Sequence, residues 1–356
     1  MKVCFVVHDI TAIGGIERIT VDLANKLLEE NKEIFIISYF RTNKEINYKI
    51  NEKIEIKFVT NKKTQGKSGS VRRGLQYIFS FFTINKFFLK NKFDYIVAQG
   101  MPVAVILFFL NFMKRKIITC EHVNCYYYNG IVRYVRNILY KFYFKIIVLT
   151  DKDKEYFARK IKNIECIPNF ISNISEKKSN LNNKVLISVG RLEEQKGYDI
   201  LIDICSKFLF RYPEWKLKIF GKGTLKEELQ IQIEKHNLEN QILLMGTTSK
   251  IEEEYLKSDI YIMSSRFEGF PMVLLEAENY GLPMISFNCP NGPDSIIENN
   301  INGFLIENFN KEEMQQKIEF LMENEKMRIK MGINSKNKVK MFSSENILKK
   351  WNEILK

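Results

Sequence analysis

Short apolar runs alternate with longer amphipathic patterns along the chain, and this series occurs twice. The runs of the first series are Val3–Val7, Ile34–Tyr39, Tyr95–Ala98, Lys116–Cys120 and Ile146–Leu149. Those of the second are Val185–Val189, Leu217–Phe220, Ile242–Met245, Ile260–Met263 and Met284–Phe287. Helical patterns lie between them, near Glu17–Glu30, Tyr198–Arg211 and Lys226–His236. Val/Ile/Leu-rich strands separated by helices are typical of parallel sheets covered on both faces, so the sequence predicts an α/β fold of two doubly wound, Rossmann-like domains.

A polar stretch, Ser172–Lys184, separates the two series. We predict a first domain over 1–170 and a second over 171–341, facing each other across a cleft that is the expected ligand site. The longest apolar stretch, around Pro102–Phe109, falls short of the roughly 20 residues that a membrane-spanning helix needs. A buried helix is the prediction there.

The charge is concentrated in the first half of the chain. Residues 1–175 contain 29 Lys and Arg against 15 Asp and Glu, whereas residues 176–356 contain 26 and 27. This asymmetry favours an anionic partner for the first half: a membrane surface, a nucleic acid or a phosphorylated substrate. A nucleic-acid-binding protein is a remote alternative, because the sequence has no helix-turn-helix, RNP or zinc-finger signature.

The six cysteines, at positions 4, 120, 125, 166, 205 and 289, form no CxxC pair, and only three histidines accompany them. This pattern excludes a zinc framework and a secreted disulfide scaffold, and it favours a reducing cytoplasm.

Three loops that follow predicted strands carry candidate chemistry. Gly14-Gly15 joins the first strand to a helix, where free amides attract anions, although a plain tight turn explains the pair as well. Arg191 and Lys196 follow the strand Val185–Val189, a position that suits a diphosphate. Glu268 lies in the loop after Ile260–Met263, and Glu276 stands eight residues further on, inside the helix that this loop opens. Their carboxylates can accept hydrogen bonds from sugar hydroxyls.

Taken in order, these pieces resemble the retaining GT-B glycosyltransferases of family 4. The run EGFPMVLLE at 268–276 is similar to the family's E-x7-E motif, and Gly14–Arg18 to its GG-x-E-R loop. Further matching pieces are Glu121-His122, Ile167–Asn169, Val189–Leu192 with Gln195–Gly197, and Gly281–Pro283. The resemblance spans nearly the whole chain. It implies a GT-B fold whose C-terminal segment, 342–356, packs back on the first domain.

The resemblance also implies roles for individual residues. Arg191 and Lys196 would bind the donor's diphosphate, Glu276 its ribose, and Met245-Gly246 would meet its base. The transferred sugar and the diphosphate would be held by a single stretch: Glu268, Gly269, Phe270, Pro271, Met272 and Val273. Gly15 would close against the phosphates, and His122 would lie near the anomeric carbon, so Glu268 and His122 are the catalytic candidates. The alternative for His122 is a hydrogen-bonded histidine that ends a strand.

The expected donor is a UDP-sugar, which is a substrate, and no cofactor is expected. Asn288–Ile297 resembles the CP-x-GP-x-x-II stretch of a subgroup that uses UDP-hexoses or UDP-N-acetylhexosamines. Asp151-x-Asp153 formally matches the DxD of metal-dependent glycosyltransferases. Because it opens a helix, we interpret it as an N-cap, and we expect no metal requirement.

The expected acceptor is a lipid-linked (polyprenyl diphosphate) saccharide at the cytoplasmic face of the plasma membrane. The predicted helix Gly69–Lys92 combines aromatic residues with Arg72, Arg73, Lys86 and Lys90, and such a helix can lie on an anionic membrane. Arg18 is expected on the same acceptor side. Tyr126–Tyr128, with Arg133, Arg136, Lys141 and Lys145, is a second basic-aromatic patch. The alternative for both is that the aromatic face packs into the core.

Two further alternatives share the architecture. One is a nucleotide-sugar 2-epimerase, which the E-x7-E run disfavours. The other is a catalytically silent glycosyltransferase-like subunit, which the set of Arg191, Lys196, Glu268 and Glu276 disfavours.

Overall fold

The structure is a computed structural model that describes residues 1–63, 71–113 and 115–356, with the backbone alone for 71–75, 77–80 and 111–113. The chain divides into two compact units. Unit 1 comprises Met1–Asn169 and Ser344–Lys356, and unit 2 comprises Phe170–Ser343. The C-terminal segment therefore belongs to the same unit as the first 169 residues.

Unit 1 is built on a parallel sheet that has seven strands in the described part of the chain, in the order β3-β2-β1-β4-β5-β6-β7. The strands are β1 (Lys2–Val7), β2 (Glu33–Ser38), β3 (Glu55–Phe58), β4 (Tyr95–Gln99), β5 (Ile117–Cys120), β6 (Lys145–Val148) and β7 (Ile164–Cys166). The helices are α1 (Gly15–Glu29), α2 (Val71–Lys90), α3 (Met101–Leu107), α4 (Gly130–Leu139), α5 (Asp151–Ala158) and, from the chain's end, α13 (Ser344–Ile354).

Helix α1 shows why these segments form where they do. Its apolar positions Ile19, Leu23 and Leu27 recur at helical spacing and are all buried. The helix ends before Asn31, whose positive φ of 61° turns the chain into β2. Helix α13 packs against α1, and Asn352 accepts a 2.7 Å hydrogen bond from the Nζ of Lys32 in the loop after α1.

Unit 2 lies wholly within the described residues and contains a six-stranded parallel sheet in the order β10-β9-β8-β11-β12-β13. The strands are β8 (Val185–Val189), β9 (Lys216–Phe220), β10 (Ile242–Gly246), β11 (Ile260–Met263), β12 (Met284–Phe287) and β13 (Gly303–Ile306). The helices are α6 (Tyr198–Ser206), α7 (Lys226–Lys235), α8 (Ile251–Leu256), α9 (Met272–Asn279), α10 (Pro293–Ile296), α11 (Lys311–Glu323) and α12 (Glu325–Lys338). Short 3-10 turns follow or precede several helices, at 108–113, 140–142, 194–196, 209–211 and 339–342.

The predicted pair of doubly wound α/β sheets is confirmed. In each sheet the strand order reverses once, between β1 and β4 in unit 1 and between β8 and β11 in unit 2. Ligands of such sheets bind outside the carboxyl ends of the strands at this switch point. Among the helices described here, none is both long and apolar enough to span a bilayer.

Candidate active site

Several of the predicted donor residues of unit 2 lie at its switch point. The loop after β8 carries Arg191 and Lys196, and the loop after β11 carries Glu268. Because β8 and β11 are parallel neighbours in the sheet, both loops leave its same edge. The topology therefore brings together residues that are more than 70 positions apart in the sequence.

Arg266 fixes one loop to the other. Its guanidinium donates to both carboxylate oxygens of Asp199, at 2.9 and 2.7 Å, and to the carbonyl of Glu194 at 2.7 Å. Partial burial raises the pKa of Asp199, but the hydrogen bonds and charge of Arg266 outweigh it and hold this pKa below its usual value. A bidentate pair of this kind gives the loops a defined geometry.

Lys196 and Glu268 form the central contact of the site. The Lys196 Nζ lies 2.6 Å from the Glu268 Oε1, and the two side chains are 15% and 8% exposed. The Ser264 hydroxyl, directly after β11, donates to the backbone carbonyl of Lys196 at 3.0 Å and so ties the loop that carries Lys196 to the end of β11. The ammonium and the carboxylate therefore neutralise each other.

Arg191 reaches the same loops through a glutamine. Its guanidinium donates to the side-chain carbonyl of Gln195 at 3.0 Å, and the Gln195 amide donates to the carbonyl of Phe267 at 3.0 Å. The Arg191 side chain is otherwise exposed, so its charge is available to an anion.

Helix α9 begins beside the pair and has Pro271 at its N-cap. The first amides of a helix have no partner within it and attract phosphate. Gly292 packs against this turn with a φ of 104°, and a Cβ there would lie 2.6 Å from the Pro271 Cδ and 2.9 Å from the Gly269 carbonyl oxygen. Glycine at 292 is therefore required for the close approach that shapes the turn.

The buried Cys289 lies behind the same turn. Burial and the nearby Glu268 carboxylate raise the pKa of its thiol to about 12, so the thiol is neutral.

Glu276 lies one turn further along α9. Tyr255 donates its hydroxyl to the Glu276 Oε2 at 2.8 Å, and its ring stacks on Tyr280 with 5.6 Å between centroids. The hydroxyl of buried Tyr261 donates to the carbonyl of Val189 at 3.3 Å. Burial and Tyr198 raise the pKa of this hydroxyl well above the usual value, and the Val189 backbone opposes the shift.

The residues predicted to meet the base end strand β10. The pairing of β10 with β9 shifts register between Leu244 and Gly246, which leaves Met245 exposed at the bulge. Gly246 has a φ of 71°, and its carbonyl accepts from the Gly221 amide at 2.7 Å. This end of the sheet therefore presents the exposed apolar side chain of Met245 beside a glycine.

In unit 1, the glycine loop follows β1 at the switch point of that sheet. Gly15 is the first residue of α1, is exposed, and has open space where a Cβ would stand. Gly14 is held by Tyr48, whose hydroxyl accepts from the Gly14 amide at 3.0 Å and donates to its carbonyl at 2.9 Å. The amide end of α1 is thus fixed and accessible. Arg18, one turn into α1, lies 4.0 Å from Asp22.

His122 follows β5, next to the end of β4. Its Nε2 lies 2.5 Å from the side-chain oxygen of Gln99, and burial lowers the pKa of the ring to about 4. The ring is therefore neutral at pH 7, with Gln99 as a partner that the sequence did not indicate. The neighbouring Glu121 is buried and accepts from the Tyr140 hydroxyl. Burial raises the pKa of Glu121 to about 7, although Arg136 and Tyr140 oppose the shift.

Two sequence-based interpretations are wrong in detail. The cap of helix α5 is Thr150, whose hydroxyl accepts from the Asp153 amide; Asp151 is the first helical residue. Asp153 is buried and accepts from the Cys125 amide at 2.9 Å. Arg136, predicted on a basic surface, is fully buried, and its Nη1 lies 3.7 Å from the Oε2 of buried Glu121. A buried charge without a partner of opposite sign is costly, so the two groups are buried together.

Helix α2 was predicted either to face a membrane or to pack its aromatic face into the core, and its described side chains divide between the surface and the core. Ile84 and Phe88 are buried in the core of unit 1, whereas Phe82 is exposed, as are Lys86 and Lys90. Arg72 and Arg73 lie in α2, but their side chains fall outside the described residues. In the part of the chain that is described, no cluster of three or more His, Cys, Asp or Glu could hold a metal ion.

Cations, a helix N-terminus and two carboxylates at a sheet's switch point are the groups that bind a phosphorylated ligand bearing hydroxyls. Fold and site thus define a Rossmann-like protein with a place for such a ligand. The family model "Glycosyl transferases group 1" matches residues 170–338. The chain is also 30% identical to the amylovoran biosynthesis glycosyltransferase AmsD of Erwinia amylovora, over 99% of both chains. It belongs to the group 1 glycosyltransferases.

Two other comparisons extend this result. The GalNAc-alpha-(1->4)-GalNAc-alpha-(1->3)-diNAcBac-PP-undecaprenol alpha-1,4-N-acetyl-D-galactosaminyltransferase of Campylobacter jejuni is 25% identical over 100% of this chain and 98% of that protein. A mutant of Staphylococcus aureus TarM, crystallised with fondaparinux, alpha-GlcNAc-glycerol and UDP, superimposes with a TM-score of 0.81 at 17% identity over 100% of both chains. The fold is that of GT-B glycosyltransferases.

Proposed function

We propose that this protein is a retaining glycosyltransferase of family 4 that moves a hexose or N-acetylhexosamine from a UDP-sugar to a lipid-linked saccharide during cell-surface polysaccharide synthesis. The observation that carries the proposal is the Lys196–Glu268 contact at the N-terminus of α9. The contact places a cation that can bind phosphate 2.6 Å from a carboxylate that can accept hydrogen bonds from hydroxyl groups. A nucleotide sugar requires both kinds of group.

The donor would lie along the carboxyl edge of the unit 2 sheet. Lys196 and Arg191 bind the diphosphate together with the amides from Gly269 to Val273. Glu276, oriented by Tyr255, accepts from the ribose hydroxyls, and the base lies against the bulge at Met245 and Gly246. When the donor binds, the diphosphate takes over Lys196 and frees Glu268 for the sugar. Gly15 and His122 are the proposed contacts from unit 1.

The chemistry is substitution at the anomeric carbon with retention. The bond from this carbon to the diphosphate oxygen breaks, and the acceptor hydroxyl attacks from the same face. Its proton passes to the departing phosphate oxygen, so the protein supplies no nucleophile. Lys196, Arg191 and the α9 amides stabilise the charge that develops on the diphosphate. In this proposal no step involves a metal.

The acceptor and the location are argued from relatives and from charge. The Campylobacter relative acts on an undecaprenol-linked saccharide, as its name states, and the Erwinia relative takes part in amylovoran biosynthesis. The excess of positive charge in residues 1–175 suits an anionic surface. We propose that the protein acts in the cytoplasm, at the inner face of the plasma membrane.

The test is a calorimetric titration with a panel of nucleotide sugars, with and without EDTA, on the wild type and on Arg191→Ala. Arg211→Ala is the matched control, because Arg211 is another surface arginine of unit 2 and pairs with Glu319 at 2.8 Å. We expect one UDP-sugar to bind irrespective of EDTA, with affinity reduced in Arg191→Ala only. Equal affinity in the wild type and both variants refutes the site. Conversion of the donor to its 2-epimer without an acceptor identifies an epimerase instead.

A further inference from the structure

Helix α4 turns an apolar stripe toward solvent. Ile131, Tyr134, Val135 and Ile138 are spaced by three or four residues and so share one face of the helix. Ile131 and Tyr134 are 79% and 68% exposed. The opposite face carries the buried Arg136. A surface helix normally hides its apolar face, and a large exposed apolar patch marks an interaction site.

Aromatic residues extend this stripe beyond α4. Phe142, four residues after Ile138, contacts Phe108 at 5.6 Å between ring centroids. Phe108 contacts Phe109, and Phe109 contacts Phe81 of α2 with 5.4 Å between ring centroids. Phe81 in turn contacts Phe82, again with 5.4 Å between centroids. We name as the apolar face the exposed members of this set: Ile131, Tyr134, Val135, Ile138, Phe142, Phe109 and Phe82.

The surrounding segment is strongly basic. Residues 59–150 contain 15 Lys and Arg but only two acids, Asp94 and Glu121, which is a net charge of +13 and equals that of the whole chain. Glu121 is buried beside Arg136, and Asp94 accepts from the Lys2 backbone amide. Lys86, Lys90 and Lys141 are exposed on the elements that carry the apolar face.

We infer that the apolar face docks on an anionic lipid bilayer, with the aliphatic and aromatic side chains in the headgroup region and the lysines on the lipid phosphates. This inference rests on the proposed function only in that the acceptor is lipid-linked. Exposed aliphatic groups with basic residues around them are the composition of an interfacial helix, and Tyr134 has the amphipathic ring that such an interface favours.

Charge decides between a bilayer and other occupants. A second copy would place two segments of net charge +13 against each other, which is repulsive, whereas an anionic membrane attracts both copies. Nucleic acid would satisfy the lysines but would leave Ile131 and Ile138 without apolar partners. An anionic bilayer offers partners both to the lysines and to the apolar side chains.

The experiment is cosedimentation of the full chain with vesicles of phosphatidylglycerol and phosphatidylcholine, and with vesicles of phosphatidylcholine alone. The test variant combines Ile131→Ser with Ile138→Ser; both side chains are exposed, so no cavity forms. Ile231→Ser is the matched control, because Ile231 is 65% exposed on helix α7 of unit 2. We expect binding to the anionic vesicles to fall at least about tenfold in the double variant and to stay unchanged in the control.

Binding to the anionic vesicles should also weaken with added salt, because the lysine contribution is screened. Anionic binding by the double variant within twofold of the wild type overturns the inference. A wild-type dimer that the double variant converts to a monomer, without vesicle binding by either, assigns the face to a second copy and also overturns it. UDP-sugar titration of the same samples separates the two proposals. Intact vesicle binding without donor binding contradicts the transferase, and the reverse contradicts the docking face.

Discussion

Removing the ammonium group of Lys196 distinguishes a structural role of this residue from a ligand-binding role. In Lys196→Met the Glu268 carboxylate, which is 8% exposed, loses a cation at 2.6 Å. Breaking one side of a fully buried pair costs about 3–5 kcal/mol. Because both side chains keep some contact with water, we expect the free energy of unfolding to fall by about 2–3 kcal/mol.

Substituting Glu268 as well removes the carboxylate charge that Lys196→Met leaves without its partner. Lys196→Met combined with Glu268→Gln leaves no unpaired charge, so its stability should lie within about 1 kcal/mol of the wild type. Together with Glu268→Gln alone, the four proteins form a double-mutant cycle. Its coupling energy should be about 2 kcal/mol, which denaturant unfolding resolves.

Donor affinity should not recover with stability. A hydrogen bond to a charged group contributes about 1.5–3 kcal/mol, which corresponds to roughly 10- to 150-fold in Kd. Lys196→Met should lose this much affinity for UDP in a calorimetric titration, and the double variant should remain as weak. If UDP binds the single variant as tightly as the wild type, or if the double variant regains wild-type affinity, the diphosphate assignment of Lys196 is wrong.

Three further predictions concern other residues of unit 2: Gly292, Tyr255 and Glu278. Gly292→Ala should destabilise the protein by about 1–2 kcal/mol and weaken donor binding, because its Cβ would press on Pro271; an unchanged melting temperature and donor affinity contradict this. Tyr255→Phe removes a hydrogen bond to Glu276 and should raise the donor KM about three- to tenfold at nearly constant kcat; a fall in kcat alone contradicts the ribose role. Burial raises the pKa of the Glu278 carboxyl from 4.5 to about 8. Between these pH values the folded state holds a proton that the unfolded state has lost, so the free energy of unfolding falls as pH rises from 4.5 to 8. Glu278→Gln should flatten this part of the plot of unfolding free energy, measured in urea, against pH; an unaltered slope contradicts burial of Glu278 as the cause.

The strands that the sequence predicts are the central ones, together with β10. Three strands were missed: β3, β7 and β13, and each lies at an edge of its sheet. An edge strand has a neighbour on one side only, so its sequence need not be a continuous apolar run. Strand β3 shows this, because Glu55–Phe58 alternates between exposed and half-buried residues and leaves no signal of a buried strand.

The candidate site was predictable only where a residue type stands next to a strand or loop signal. Arg191, Lys196, Glu268 and Glu276 carry such signals, and the structure places all four in unit 2. The Arg266–Asp199 pair spans 67 positions and forms because β8 and β11 are neighbours, which no local pattern shows. A surface cation and a buried one also look alike in a sequence, which is why Arg136 was misplaced.

The account's central claim is transfer of a sugar from UDP to a lipid-linked acceptor at the Lys196–Glu268 site. The most direct measurement incubates the purified protein with a labelled UDP-sugar and a lipid-linked saccharide extract, then follows the label and the released UDP. We predict that the label enters the lipid-extractable product with the donor's anomeric configuration and that Lys196→Met abolishes this. Label that remains on the nucleotide, or equal transfer by Lys196→Met, would contradict the claim.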